Sequence, residues 1–144
     1  MMNTKIYKSV HSLAEKLMKA ASKEDRESFD SLYTELKAIC IDNENTKEDH
    51  PVQWETLADF TEELEDALAI YVKALEKSTA INSKDYMSSV AFSMATLQIE
   101  SGQTDAAIKS LQDAKISANK IEDKELKMEI DELLETVFEL SHEK

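Results

Sequence analysis

An all-α protein of short-connected helices is the fold class this sequence predicts, on three observations. Apolar side chains recur at helical spacing through nearly the whole chain. The 144 residues include one Gly and one Pro, too few turn-formers for a many-stranded β protein. Hydrophobic residues make up 42% and charged residues 33%, enough apolar surface to offset the cost of ordering the chain. The length suits a single domain, 1–144, able to bury roughly two thirds of its unfolded surface.

The first helix is expected over about 4–21, with Ile6, Val10, Leu13, Ala14 and Leu17 on one stripe. Ser22 followed by Asp25 has capping-box spacing, so a second helix should start there and run to about 42. It would bury Phe29, Leu32, Tyr33, Leu36, Ile39 and Cys40. The polar, unpatterned stretch 42–50 reads as the one longer loop. Pro51 suits the first turn of a short third helix carrying Trp54, Leu57, Ala58 and Phe60. Thr61 ahead of Glu62, Glu63, Glu65 and Asp66 reads as the cap of a fourth helix over about 62–80. Asn82 or Ser83 can cap a fifth over about 84–101, which Gly102 should end in a left-handed conformation. Thr104 opens a sixth to about 118, and a seventh is expected over about 123–141. Neighbours joined by such short connections should alternate in direction.

Seventeen basic and thirty acidic residues give a formal charge of -13. Segment 1–41 nets +1, segment 42–66 nets -9 and segment 67–144 nets -5. A surface this acidic repels phosphate backbones and anionic membrane faces, so neither nucleic acid nor membrane is expected as a partner. A basic protein or peptide is the electrostatic complement, and the acidic middle segment is read either as a solvated surface or as a docking patch. Cys40 stands alone in the apolar run 38–41 and reads as a buried, inert thiol. The N-terminal stretch has no apolar signal core, and the longest apolar run, 67–72, is far too short to span a bilayer. A cytoplasmic setting is the simplest expectation.

The single Gly excludes phosphate loops, dinucleotide fingerprints and nucleophile elbows, each of which needs several positions that only Gly fits. His11, His50 and His142 lie far apart with no paired Cys, so no metal site is expected. Glu139 and His142 form one E-x-x-H, but a di-iron bundle needs two of these and two further glutamates. No Ser or Thr stands in a nucleophile context, and the chain is expected to be neither an enzyme nor a cofactor binder.

One internal repeat stands out. Ala67, Leu68, Tyr71 and Ala74 match Ala107, Ile108, Leu111 and Ala114, every pair forty residues apart. Small residues let a neighbouring helix approach, and the large ones fill the space between. In this pattern the chain resembles the tetratricopeptide repeat (TPR) family. The best unit runs from Ser88 to about Asn119, with Met94 and Ala95, Gly102, Ala107, Leu111 and Ala114 at the family's positions. A weaker unit, from Trp54 to about Ser78, has the Trp54, Leu57, Ala58 start and then Ala67, Tyr71 and Ala74. Leu13, Ala14, Phe29 and Leu32 echo it more faintly. This sequence departs from the family in the close spacing of Trp54 to Ala67, the missing terminal prolines, and Ala91 and Gln98 in place of aromatics.

The resemblance implies a right-handed superhelical stack of about three helix-turn-helix hairpins, about 4–42, 48–80 and 84–118, closed by a capping helix at about 123–141. First helices of such hairpins line a concave side. The matching positions here are His11, Glu15 and Met18, then Glu55 and Asp59, then Ser89, Phe92, Ser93, Thr96 and Ile99. Phe92 and Ile99 lie off the core stripe of their helix, so they either meet the third helix or await a ligand. Three roles fit such a stack: an adaptor binding a protein or peptide in its groove, a small acidic chaperone for a secreted or aggregation-prone partner, and a self-associating regulatory module, as a homodimer. Acids at 55 and 59 would suit a peptide bearing Lys or Arg.

Overall fold

A computed structural model describes residues 4–142, which form seven α-helices and no strand. They are α1 (Thr4–Ser22), α2 (Arg26–Asn43), α3 (Pro51–Asp59), α4 (Leu64–Ala80), α5 (Lys84–Glu100), α6 (Thr104–Ala118) and α7 (Lys124–His142). The chain divides into two compact units, Met1–Ile70 and Tyr71–Lys144, with the boundary inside α4.

Two helix starts differ from the sequence reading. The cap of α2 is Asp25 rather than Ser22, which still belongs to α1. The Asp25 carboxylate accepts from the Ser28 N–H at 3.1 Å and from the Ser28 hydroxyl at 2.7 Å. Nor does Thr61 cap α4. Its hydroxyl donates to the Leu57 carbonyl at 2.7 Å, leaving its oxygen to accept from the Tyr33 hydroxyl at 2.6 Å. Glu63 takes over: its carbonyl accepts from the Ala67 N–H and its side chain from the Asp66 N–H at 3.3 Å. Pro51 does open α3, and Ser83 caps α5 by accepting from the Tyr86 N–H.

Three of the turns are built the same way. The N–H groups of Asp25, Ser83 and Gln103 reach back five residues to the carbonyls of Ala20, Ser78 and Gln98, at 2.8–2.9 Å. Just before each stands a residue in the left-handed region: Glu24 (φ 56°), Asn82 (φ 53°) and Gly102 (φ 79°). This satisfies the last carbonyls of one helix; Asp25 and Ser83 then cap the following helix with their side chains, whereas Gln103 makes no side-chain cap bond. Gly102 announced the device in the sequence and Asn82 is a residue type that tolerates it, whereas Glu24 gave no sign of it.

The helices also share a register. In α6 the buried positions are Ala107, Leu111, Ala114 and Ala118, with Ser117 beside the last; in α4 they are Ala67, Tyr71, Ala74 and Ser78. In α2 the equivalent set is Phe29, half-buried Tyr33, Leu36 and Cys40. Each follows offsets 0, 4, 7 and 11, one face of a helix. The alternate helices repeat a second set at offsets 0, 3 and 4: Val10, Leu13 and half-buried Ala14 in α1; Trp54, Leu57 and Ala58 in α3; Ala91, Met94 and Ala95 in α5.

Within the first unit α1 packs along α2, and α3 lies against both, more extensively against α2. Within the second, α5 packs along α6, and α7 lies mainly on α6 while touching α5. Two of the expected hairpins, about 4–42 and 84–118, are thus packed pairs. The helices of the expected middle pair, about 48–80, straddle the division between the units.

Candidate functional site

In the first unit, α1 buries Val10, Leu13, Leu17 and Ala20 and turns a second stripe outward. That stripe holds three of the candidate groove residues, His11, Glu15 and Met18, and adds Tyr7, which the sequence reading passed over. Steps of four, four and three residues keep all of them on one face. Tyr7 is 40% exposed and Met18 57%, so both present apolar surface to solvent. The Tyr7 and His11 rings stack with centroids 6.4 Å apart, and His11 Nε2 lies 3.0 Å from Glu15 Oε1. The surface is therefore an aromatic, an imidazole, a carboxylate and a thioether in line, and the His11–Glu15 pair is open to solvent.

Glu55 and Asp59 stand on α3, the helix that packs against α1 and α2. Glu55 is half-buried and Asp59 exposed at the last position of α3. A carboxylate there faces the negative end of the helix dipole, where it does nothing for the helix itself.

The start of α3 is held by a network that the sequence showed only as a polar loop. His50 is the N-cap, its Nδ1 accepting from the Val52 N–H at 3.1 Å. Burial holds the His50 imidazole below its usual pKa, against a smaller opposing pull from Asp49. Asp49 accepts from Trp54 Nε1 at 2.7 Å and from the Asn45 N–H at 2.8 Å. The buried Gln53 donates to the Glu48 carbonyl, and the buried Cys40 thiol donates to the Gln53 carbonyl at 3.2 Å. Cys40 is thus a structural thiol, as the apolar run around it suggested.

In the second unit the candidates sit on α5, and all five are half-buried: Ser89, Phe92, Ser93, Thr96 and Ile99. Phe92 and Ile99 pack against the core formed by Ala91, Ala95, Leu111, Ile130 and Val137 with their neighbours. The neighbours they pack on belong to α5, α6 and α7, and both side chains stay half-buried. Thr96 donates back to the Ser93 carbonyl at 2.7 Å, an intrahelical bond that occupies its proton.

Several hollows lie away from these positions. A trough of about 710 Å³ between α6 and α7 is lined by Leu134 and Phe138 with Glu135, Glu139 and His142, and the Lys115–Asp131 pair (2.9 Å) sits at it. A smaller one, about 280 Å³, holds Arg26, which binds Glu62 at 2.8 Å and Asp30 at 2.8 Å and lies over the Phe29 ring. The hydrogen bond from Arg26 pulls the Glu62 carboxyl below its usual range. A third, of about 600 Å³, lies between α1 and α2. Glu139 and His142 belong to the first trough, and no group of three or more metal-ligating side chains occurs among the described residues. No helix of the described residues is long and apolar enough to cross a membrane.

Compared with protein-family models, with curated proteins and with solved structures, the chain matches none of them.

Proposed function

We propose that this chain is a non-enzymatic module that binds a protein or peptide segment, built as a TPR-like stack whose first helices line the binding side. The observation that carries the reading is the alternation of two burial registers, one in α1, α3 and α5 and the other in α2, α4 and α6. Units that repeat a register in this way bury their faces only by stacking, and stacking leaves a continuous side available to a ligand. Each unit also holds a packed helix pair with a third helix against it, α3 on both α1 and α2 and α7 mainly on α6, which supports it too. The α1 stripe of Tyr7, His11, Glu15 and Met18 then supplies apolar contact, and Glu55 and Asp59 supply negative charge for a basic segment. A cytoplasmic adaptor is the role we assign.

The test is fluorescence anisotropy against a panel of basic peptides carrying apolar residues. Binding should weaken as salt rises and fall about tenfold in Glu55→Lys/Asp59→Lys, and again in Met18→Asp. Peptides that bind the charge-reversed protein as well as the native one would end the assignment.

A self-associating module is the second reading, favoured by the exposed Met128, Phe138 and Leu140 on α7. Concentration-dependent dimers in sedimentation, lost in Phe138→Glu, would select it over the adaptor.

A further inference from the structure

The hollow between α1 and α2 has a chemistry at odds with the rest of the chain. Three lysines of α1, Lys5, Lys8 and Lys16, line it, against a single acid, Glu35 of α2. Its apolar lining is buried Leu13, half-buried Ile39 and exposed Ala38, with the exposed Ser9 and Ser12 beside them. A chain of net charge -13 thus carries a cationic, greasy furrow about 600 Å³ in volume. Neither Lys8 nor Lys16 has an ion-pair partner among the described residues. Two exposed ammoniums without a partner among the described residues leave this face open to carboxylates from outside.

We propose that this furrow is a docking surface for an acidic amphipathic helix of a partner protein. Two parallel walls with a partly apolar lining match a helix laid lengthwise, which buries its apolar stripe and keeps its polar flank at the rim. Lys8 and Lys16 lie eight residues apart, about 12 Å along the axis. The recognised helix therefore carries carboxylates seven or eight residues apart, with one or two aliphatic side chains between them to sit over Leu13, Ala38 and Ile39. Lysines meet carboxylates as compact, rotatable charges, so the surface reads spacing rather than bidentate geometry. The furrow lies about a third of a turn around α1 from the Tyr7–His11–Glu15–Met18 stripe, and its occupancy is independent of that stripe's ligand.

The probe is a labelled 18-residue helical peptide with Glu eight residues apart and Leu at the intervening third and fourth positions. Its control is a scrambled peptide of the same composition. The expected result is anisotropy binding of the patterned peptide at least tenfold tighter than of the scramble. It should be lost in Lys8→Glu/Lys16→Glu, and reduced in Ala38→Asp, whose exposed position leaves folding intact by circular dichroism. Equal binding of both peptides, or no binding of either, overturns the proposal. So does tighter binding of a single-stranded oligonucleotide or of anionic lipid vesicles through the same lysines. Self-association that Lys8→Glu/Lys16→Glu abolishes would seat a second copy in the furrow and overturn it as well.

Discussion

Replacing Glu24 by Gly should stabilise the first unit, against the usual cost of adding Gly near a helix. Glu24 holds φ 56° in the turn between α1 and α2. Left-handed backbone costs an L-residue roughly 1–2 kcal/mol, because Cβ crowds the following carbonyl. Gly escapes that cost but loses about 0.5–1 kcal/mol more entropy on folding. The net gain is about 0.5–1 kcal/mol, since the turn's backbone bonds (Glu24 N–H to Ala21 O at 3.1 Å, Asp25 N–H to Ala20 O at 2.9 Å) do not involve the side chain. Glu24→Asn, which tolerates the left-handed region, should recover part of the gain and controls for the lost charge. The reverse experiment is Gly102→Ala. A Cβ there meets nothing within 4 Å, so the loss is the backbone cost alone, about 1 kcal/mol. Urea titration reads both. The single tryptophan, Trp54, is buried in the same unit as Glu24, so its fluorescence midpoint should rise in Glu24→Gly. Far-UV circular dichroism should report the loss in Gly102→Ala. A lowered Trp54 midpoint in Glu24→Gly, or no cost in Gly102→Ala, would refute the argument that these turns share one left-handed device.

Ala114 is fully buried at offset 7 of its helix, so Ala114→Leu should overpack the second unit and cost about 1–3 kcal/mol in thermal or urea unfolding. Ala74→Leu, at the same offset in α4, should cost a similar amount. His50 is held neutral by burial and accepts at Nδ1, so the folded state binds its proton less readily than the unfolded chain. Its contribution is therefore complete above the unfolded pKa near 6.5 and is lost as pH falls through the lower folded value; Trp54 fluorescence of His50→Asn should show a flatter pH profile. Asp25 behaves the same way at lower pH: hydrogen bonds from Ser28 hold its carboxyl below 3.8, so its cap is intact above that value and lost in acid. Acid titration of Asp25→Asn by circular dichroism should lack this contribution.

Much of the fold was legible because helices announce themselves locally. The apolar period placed all seven, Pro51 and Gly102 marked a start and a stop for reasons intrinsic to their backbones, and the Ala67/Ala107 repeat was correctly tied to buried faces. The third copy, Phe29, Tyr33, Leu36 and Cys40, shares the spacing but only one residue type with the others, Tyr33 matching Tyr71, too little for a comparison of letters to align it. Of the candidate site, the exposed α1 stripe was visible as the positions left over from the core, although Tyr7 was missed by beginning the stripe at His11. Phe92 and Ile99 were ambiguous, because an apolar residue off the main stripe looks alike whether a ligand or a helix covers it, and α5 is apolar on more than one side.

Periodicity, the scarcity of Gly and Pro and the excess of carboxylates determined by themselves that this is an acidic, all-helical chain of seven segments. Tertiary structure alone decided which caps are used. Asp25 replaces Ser22 and Glu24 accepts a strained backbone in the turn that closes the packed α1–α2 pair, and Glu63 replaces Thr61, whose hydroxyl is engaged by the Leu57 carbonyl and the Tyr33 hydroxyl. A cap's local preference is worth about 1 kcal/mol. Burying a helix face is worth several times that, so packing chooses the turn and the turn chooses its cap.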